Sequence, residues 1–226
     1  MSIIQTAVIV TALISSTSAI AQVGQNGKIL DVNLADIGSL ESALSDALRD
    51  EEDILSLQST LLIGAELAEA IDEGRPYLNA QQLDNVLSEF LTVDERRNAY
   101  GSIFRHIDLN HAPRSVIMLI PGMSGRMAHE FEEYRPYASL EQFRREIGKY
   151  VNEKEVARFE QYVFIPLNLN AASEDELMTI PGMTSKMVHE FEEYRPYESY
   201  EQFRREIGKY VDSKELSRLE SYVTLD

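Results

Sequence analysis

One stretch of this chain is written twice, 60 residues apart, and no other feature limits its fold as strongly. Ile120-Pro121-Gly122-Met123 returns as Ile180-Pro181-Gly182-Met183, and the run from His129 to Val151 returns from His189 to Val211 with changes only at Ala138/Glu198 and Leu140/Tyr200. A copy this close defines a supersecondary unit, too small for a generous core of its own, that packs against its duplicate. The period also reaches further upstream. Arg75-Pro76-Tyr77 precedes Arg135-Pro136-Tyr137 by the same offset, and Leu83 and Leu87 align with Phe143 and Ile147. The chain therefore carries three units, the first degenerate.

Cap residues obey the same period. Asn79, Ser139 and Ser199 each stand three residues before a glutamine, and Thr92, Asn152 and Asp212 each stand three before a glutamate. That spacing predicts capping boxes, in which a side-chain oxygen takes a free amide of the first helical turn. In the last unit Ser173 opens a short helix ending near Thr179, and Pro181-Gly182 turns the chain. A second helix runs from about Ser185 to Tyr194, where Pro196 blocks continuation. Ser199 and Asp212 cap two more, to about Lys209 and Tyr222. No stretch alternates as a strand, so the predicted fold is all-α, with repeated helix-hairpin-helix units of short helices.

Upstream, Leu40, Ala43, Leu44, Ala47 and Leu48, then Ile54, Leu55, Leu57, Leu61 and Leu62, recur at helical spacing. Asp50-Glu51-Glu52-Asp53 lacks the spaced oxygens and turn glycine of a calcium loop, and reads as a solvated helix start. Residues 3–21 are nearly free of charge, and Ala19-Ile20-Ala21 fits the small-x-small cleavage rule with Gln22 as the first mature residue. The alternative is a disordered or anchoring tail. The predicted division is a signal peptide over 1–21, a helical region with the degenerate repeat over 22–106, and clear repeats over 107–166 and 167–226. The mature chain is expected to be exported, periplasmic and without a stable membrane span.

Within the last two units the residues resemble a known family. Leu169-Asn170-Ala171-Ala172-Ser173, Glu176-Leu177, Ile180-Pro181-Gly182-Met183 and Glu193-Tyr194-Arg195 are similar to the tandem helix-hairpin-helix domain of ComEA-type competence DNA receptors. The middle copy matches through Leu109-Asn110, Ile120-Pro121-Gly122-Met123 and Glu133-Tyr134-Arg135, and the two copies cover about half the chain. The resemblance implies sequence-independent binding of double-stranded DNA, with hairpin backbone amides at a helix start holding a phosphate. It places the phosphate site on Gly122, Met123, Ser124, Gly125 and Arg126, and in the other copy on Gly182, Met183, Thr184, Ser185 and Lys186. The departures are the family's second hairpin glycine, here Ser124 or Thr184, and the loss of both glycines at Tyr150-Val151-Asn152 and Tyr210-Val211-Asp212. Glycine loss at the first position is expected to restrict the backbone and add bulk.

Charge bears on the partner. The formal net charge of -17 repels polyanions at long range. Residues 107–166 carry 8 basic against 9 acidic side chains, whereas residues 28–106 carry 6 against 16 and residues 167–226 carry 7 against 13. The middle unit is thus the one suited to DNA. The alternative for its turn is a purely structural elbow with a routinely charged helix start.

Other chemistry finds little support. With no cysteine, thiolate sites and cysteine nucleophiles are excluded. His129-Glu130 and His189-Glu190 lack the second histidine one helical turn on that a zinc helix needs. Arg144-Arg145 and Arg204-Arg205 are expected to pair with acids on their own helix, as in Glu141 to Arg144 and Glu201 to Arg205. Phe131, Tyr134, Tyr137, Phe143 and their repeats are spaced like core. No enzyme, cofactor or metal site is expected. Two classes remain: a periplasmic DNA-backbone binder, and an acidic scaffold that keeps the fold, has lost the phosphate site and binds a protein instead.

Overall fold

The structure is a computed structural model that describes residues 22–25, 29–49 and 57–225. The expected signal peptide over 1–21, Asp50 to Asp53, Ile54 and Leu55 lie outside the described residues. The chain is mostly helical. Its first part runs β1 (Leu30–Asp31), α1 (Ile37–Ala47), α2 (Leu57–Glu73), α3 (Ala80–Phe90), α4 (Val93–Ala99), β2 (Ile103–Phe104). The middle part runs β3 (Ile107–Asp108), α5 (Arg114–Ile117), α6 (Gly125–Glu133), α7 (Leu140–Ile147), α8 (Glu153–Glu160), β4 (Val163–Phe164). The last part repeats that order as β5 (Leu167–Asn168), α9 (Glu174–Leu177), α10 (Ser185–Glu193), α11 (Tyr200–Ile207), α12 (Ser213–Glu220), β6 (Val223–Thr224).

Short strands accompany the helices that the sequence predicts, and no sequence pattern foretold them. In each part the first strand pairs in parallel with the last: β1 with β2, β3 with β4, and β5 with β6. The Leu167 and Leu169 amides donate to the Tyr222 and Thr224 carbonyls at 2.9 and 2.8 Å, and Ile107 and Leu109 do the same to Tyr162 and Phe164. Two residues are too few to show alternation, so the sequence pattern carries no trace of them.

Caps form where expected, but only half of each box is general. Reciprocal boxes occur at Thr92/Glu95 and Ser173/Glu176. At Asn79, Ser139 and Ser199 the glutamine reaches one residue further back, to the Leu78, Ala138 and Glu198 amides. Asn152 and Asp212 cap α8 and α12, yet Glu155 and Glu215 turn instead to Arg158 and Arg218, because a guanidinium is a stronger partner than a neutral amide.

The Arg-Pro-Tyr triplets prove to be internal clasps. Arg135 donates to the Leu109 and Ala112 carbonyls at 2.6 and 2.8 Å, while the Asn110 side chain exchanges two hydrogen bonds with the Tyr137 backbone. Arg195 binds Leu169 and Ala172 likewise, with Asn170 on Tyr197. The first part has the same clasp, with Arg75 on Val32 and Ala35 and Asn33 on Tyr77. Every X-Pro bond in these triplets is cis.

Aromatic packing fills the interior of the middle and last parts. Phe131 meets Phe143 and Phe159 edge-on at 5.1 and 5.5 Å, and Phe191 meets Phe203 at 5.2 Å. Tyr137 is buried with them, but Tyr134 is only half-buried and its hydroxyl meets that of Tyr150 at 2.7 Å.

The last strand of each part meets a different neighbour. Tyr100 packs its ring against Phe104 at 5.3 Å. At the aligned place in the middle part, Val23 forms an antiparallel bridge to Phe164. In the last part the Tyr200 hydroxyl, where the middle copy has Leu140, donates to the Val223 carbonyl at 3.4 Å.

Arg105 joins all three parts. It is fully buried, and it donates to the Tyr77 carbonyl at 2.9 Å, the Tyr222 hydroxyl at 2.5 Å and Ser221 Oγ at 2.7 Å. Its guanidinium also lies 4.2 Å from the Tyr222 ring centroid and 5.6 Å from that of Phe164 in the middle part. Asp31 supplies the nearby negative charge, 3.6 Å from His106. Burial pushes the Asp31 carboxyl up, but the His106 imidazole, the Arg105 charge and the Asn33 amide outweigh that and hold it below its ordinary value.

Candidate functional site

The two Pro-Gly elbows are type II turns. Pro121 supplies the fixed φ of the second position, Gly122 takes the left-handed third position at φ 71°, and the Met123 amide donates to the Ile120 carbonyl at 3.0 Å. Gly182 at φ 76° and Met183 on Ile180 repeat this. The expected use of the Met123 and Met183 amides is therefore corrected. Both are engaged within the turn, and both side chains are buried.

Beyond the turn the expectation of backbone restriction is also corrected. Ser124 and Thr184 are extended N-caps, at φ -98° and -121°, a region open to any residue, so no glycine is required there. Their hydroxyls accept from the Met127 and Met187 amides at 3.2 Å. Among the described residues, the amides of Ser124, Gly125 and Arg126 have no hydrogen-bond partner, and those of Thr184, Ser185 and Lys186 have none either. All six residues are exposed.

The surroundings separate the two copies. At the middle turn Arg158 from α8 donates to the Pro121 carbonyl at 2.5 Å and pairs with Glu155, which holds the Glu155 carboxyl below its usual range. Arg114 reaches the Gly125 carbonyl and pairs with Glu132 at 2.9 Å. Arg126 has no ion-pair or hydrogen-bond partner among the described residues. At the last turn Glu174 stands where the middle copy has Arg114, and Arg218 is buried on the Pro181 carbonyl at 2.7 Å. Leu34 also closes on that turn: a Cβ placed on Gly182 would lie 3.2 Å from both its methyl carbons. Arg114 and Arg158 were not legible as part of this site. Their signals were the Arg114/Glu174 difference and the arginine repeated at 158 and 218.

The second hairpin of each copy offers less. Asn152 and Asp212 are plain caps. The cleft beside the first of them, about 880 Å³ between α7 and α8, is lined by Arg144 and Arg145, whose charges are already matched. Arg144 pairs with Glu160 at 2.5 Å and Arg145 with Glu146 at 3.0 Å, and Arg204 and Arg205 pair with Glu220 and Glu206. Arg145 and Arg205 thus pair with an acid of their own helix, as expected in kind though not at Glu201, whereas Arg144 and Arg204 are met from across the hairpin by Glu160 of α8 and Glu220 of α12 in place of an acid of their own helix. His129 is exposed and pairs with Glu133 at 2.9 Å, while its neighbour Glu130 is buried.

Among the described residues no helix is long and apolar enough to cross a membrane. Comparison with protein families, with curated proteins and with solved structures finds no match for this chain.

Proposed function

We propose that this is an exported, non-enzymatic, periplasmic protein built from helix-hairpin-helix units, one degenerate and two clear, which holds the phosphate backbone of double-stranded DNA at its middle turn. The observation that carries the reading is the open start of α6, where three exposed amides without partners sit beside an unpaired Arg126. Amides and the positive end of the helix dipole favour an anion there, and they read no base. The near-neutral charge of residues 107–166 supports the same place. Few phosphates would be gripped, so binding is weak and falls with salt by about 0.9 in log K per log salt for each phosphate contact. A mobility shift of a duplex at several salt concentrations tests it, and absence of retention at low salt by the folded chain would remove it.

One observation favours a second reading, an acidic scaffold that binds protein. Leu34, from the first part, lies against the last turn, whereas the middle turn is met by arginines of its own part, so the two repeated elbows are not equivalent. Under this reading the turns are elbows of a rigid body, and Arg126→Ala changes nothing.

A further inference from the structure

Residues 22–25 form a strap across the seam between the middle and last parts, and His106 ties that strap to the first part. The Ile165 amide donates to the Gln22 carbonyl at 2.8 Å and the Gly24 amide donates to the Val163 carbonyl at 3.0 Å, on either side of the Val23–Phe164 bridge. Val23 is buried, and Gln25 Nε2 donates to the Thr179 carbonyl of the last part at 3.2 Å. From the link between β2 and β3, His106 Nε2 lies 2.9 Å from the Gly24 carbonyl oxygen, and its Nδ1 lies 3.6 Å from Asp31 Oδ2 on β1.

A carbonyl oxygen only accepts, so the single proton of a neutral imidazole belongs on Nε2. Nδ1 is then a bare acceptor turned toward a carboxylate, which is an acceptor too. It is buried and has no hydrogen-bond partner among the described residues, since 3.6 Å is beyond hydrogen-bond reach. A second proton supplies the donor that this pair lacks. We propose that His106 is a proton-operated latch for the strap: the imidazolium holds Gly24 and Asp31 together, and the neutral ring holds Gly24 alone. Protonation also makes the Gly24 bond charge-assisted. The two side chains are only 14% and 11% exposed, so water screens their attraction little. Other groups face the same place. Arg105 and Arg218 are positive near Asp31 and oppose the added proton, and Glu215 offsets Arg218. The Tyr222 ring, its centroid 6.5 Å from that of His106, stays neutral because burial pushes its hydroxyl far up. Asp108 and His111, which share a cavity of about 370 Å³ with His106, pair with each other at 2.8 Å. Asp31 is thus the carboxylate that meets Nδ1, and the latch is closed at low pH and released as pH rises.

The test follows amide hydrogen exchange of the full chain at about pH 5.5 and about pH 8, with rates corrected for their intrinsic pH dependence. Asp31 stays ionised at both, because its carboxyl is held below the ordinary range. Protection of the Gly24 amide should be at least about ten-fold higher at the lower pH, the worth of one hydrogen bond between charged groups, with the α7 amides as the reference for global opening. His106→Gln keeps a donor for Gly24 but takes up no proton, and Asp31→Asn removes the charge that Nδ1 would meet. Each, once circular dichroism shows its helical content retained, should be protected equally at the two pH values. In the wild type, nitrogen NMR of the His106 ring should place the proton on Nε2 at the higher pH. A pH effect that persists in either variant, no pH effect in the wild type, or a proton on Nδ1 at the higher pH overturns the latch.

Discussion

Replacing Arg105 by alanine tests whether one guanidinium holds the three parts together. The side chain is fully buried and bonds to Tyr77, Tyr222 and Ser221, with Asp31 as the nearby counter-charge. Removing it takes a charged donor from the Tyr77 carbonyl and the Tyr222 and Ser221 hydroxyls, takes a nearby positive charge from Asp31, and leaves a cavity. Breaking a buried charged cluster in this way costs about 3–5 kcal/mol. At about 2–4 °C per kcal/mol for a chain of this size, the thermal midpoint should fall by about 6–20 °C. Arg105→Met keeps the apolar stem and removes the charge whose desolvation was unfavourable, so it should lose less than alanine. Thermal unfolding followed by far-ultraviolet circular dichroism measures both. A fall of under about 2 °C for the alanine variant would refute the lock, because a fully desolvated, multiply bonded group cannot be that dispensable.

Three further outcomes follow from the geometry. Gly122→Ala and Gly182→Ala should each cost about 1–2 kcal/mol for a side chain at positive φ, and the second should cost more because its Cβ meets Leu34 at 3.2 Å; denaturant midpoints in the reverse order would contradict this. Asn110→Ala should cost about 1–3 kcal/mol, since it leaves the Tyr137 amide without its 2.7 Å acceptor; the same midpoint assay reads it. Asp31 has a folded pKa below its unfolded value, so its contribution is present above the ordinary carboxylate range and is lost as pH falls through the lowered folded value. Asp31→Asn should flatten the acid limb of a stability–pH curve, and an unchanged limb would show that Asp31 does not carry it.

What the sequence made legible was local. Helix starts at Ser139, Asn152, Ser199 and Asp212 were readable because a cap is decided by a residue and its near neighbours. The Pro-Gly turns were readable for the same reason, since proline and glycine each favour one turn position. Pairings between distant residues were not. The parallel strands are two residues long, and the first clasp was hidden because Asn33 lies further upstream of Asn110 than one period, so the repeat is broken by added chain. Arg105, in an unremarkable Phe-Arg-His sequence, gave no sign that Tyr222 and Ser221 would close over it. At the candidate site the sequence showed the turns but not which of their amides the fold engages. Hydrogen bonding inside the turn engaged the Met123 and Met183 amides, and Leu34 came to lie against Gly182 of the last copy, a contact that only the tertiary fold decides.

The claim that the middle turn grips DNA phosphates is tested most directly by a mobility shift of one duplex across a salt series, using wild type, Arg126→Ala and Lys186→Ala. The expected result is retention that weakens as salt rises, with the slope of log K against log salt reduced by about one in Arg126→Ala and unchanged in Lys186→Ala. Equal slopes in all three proteins, or no retention of the duplex by the folded wild type at the lowest salt, would contradict it.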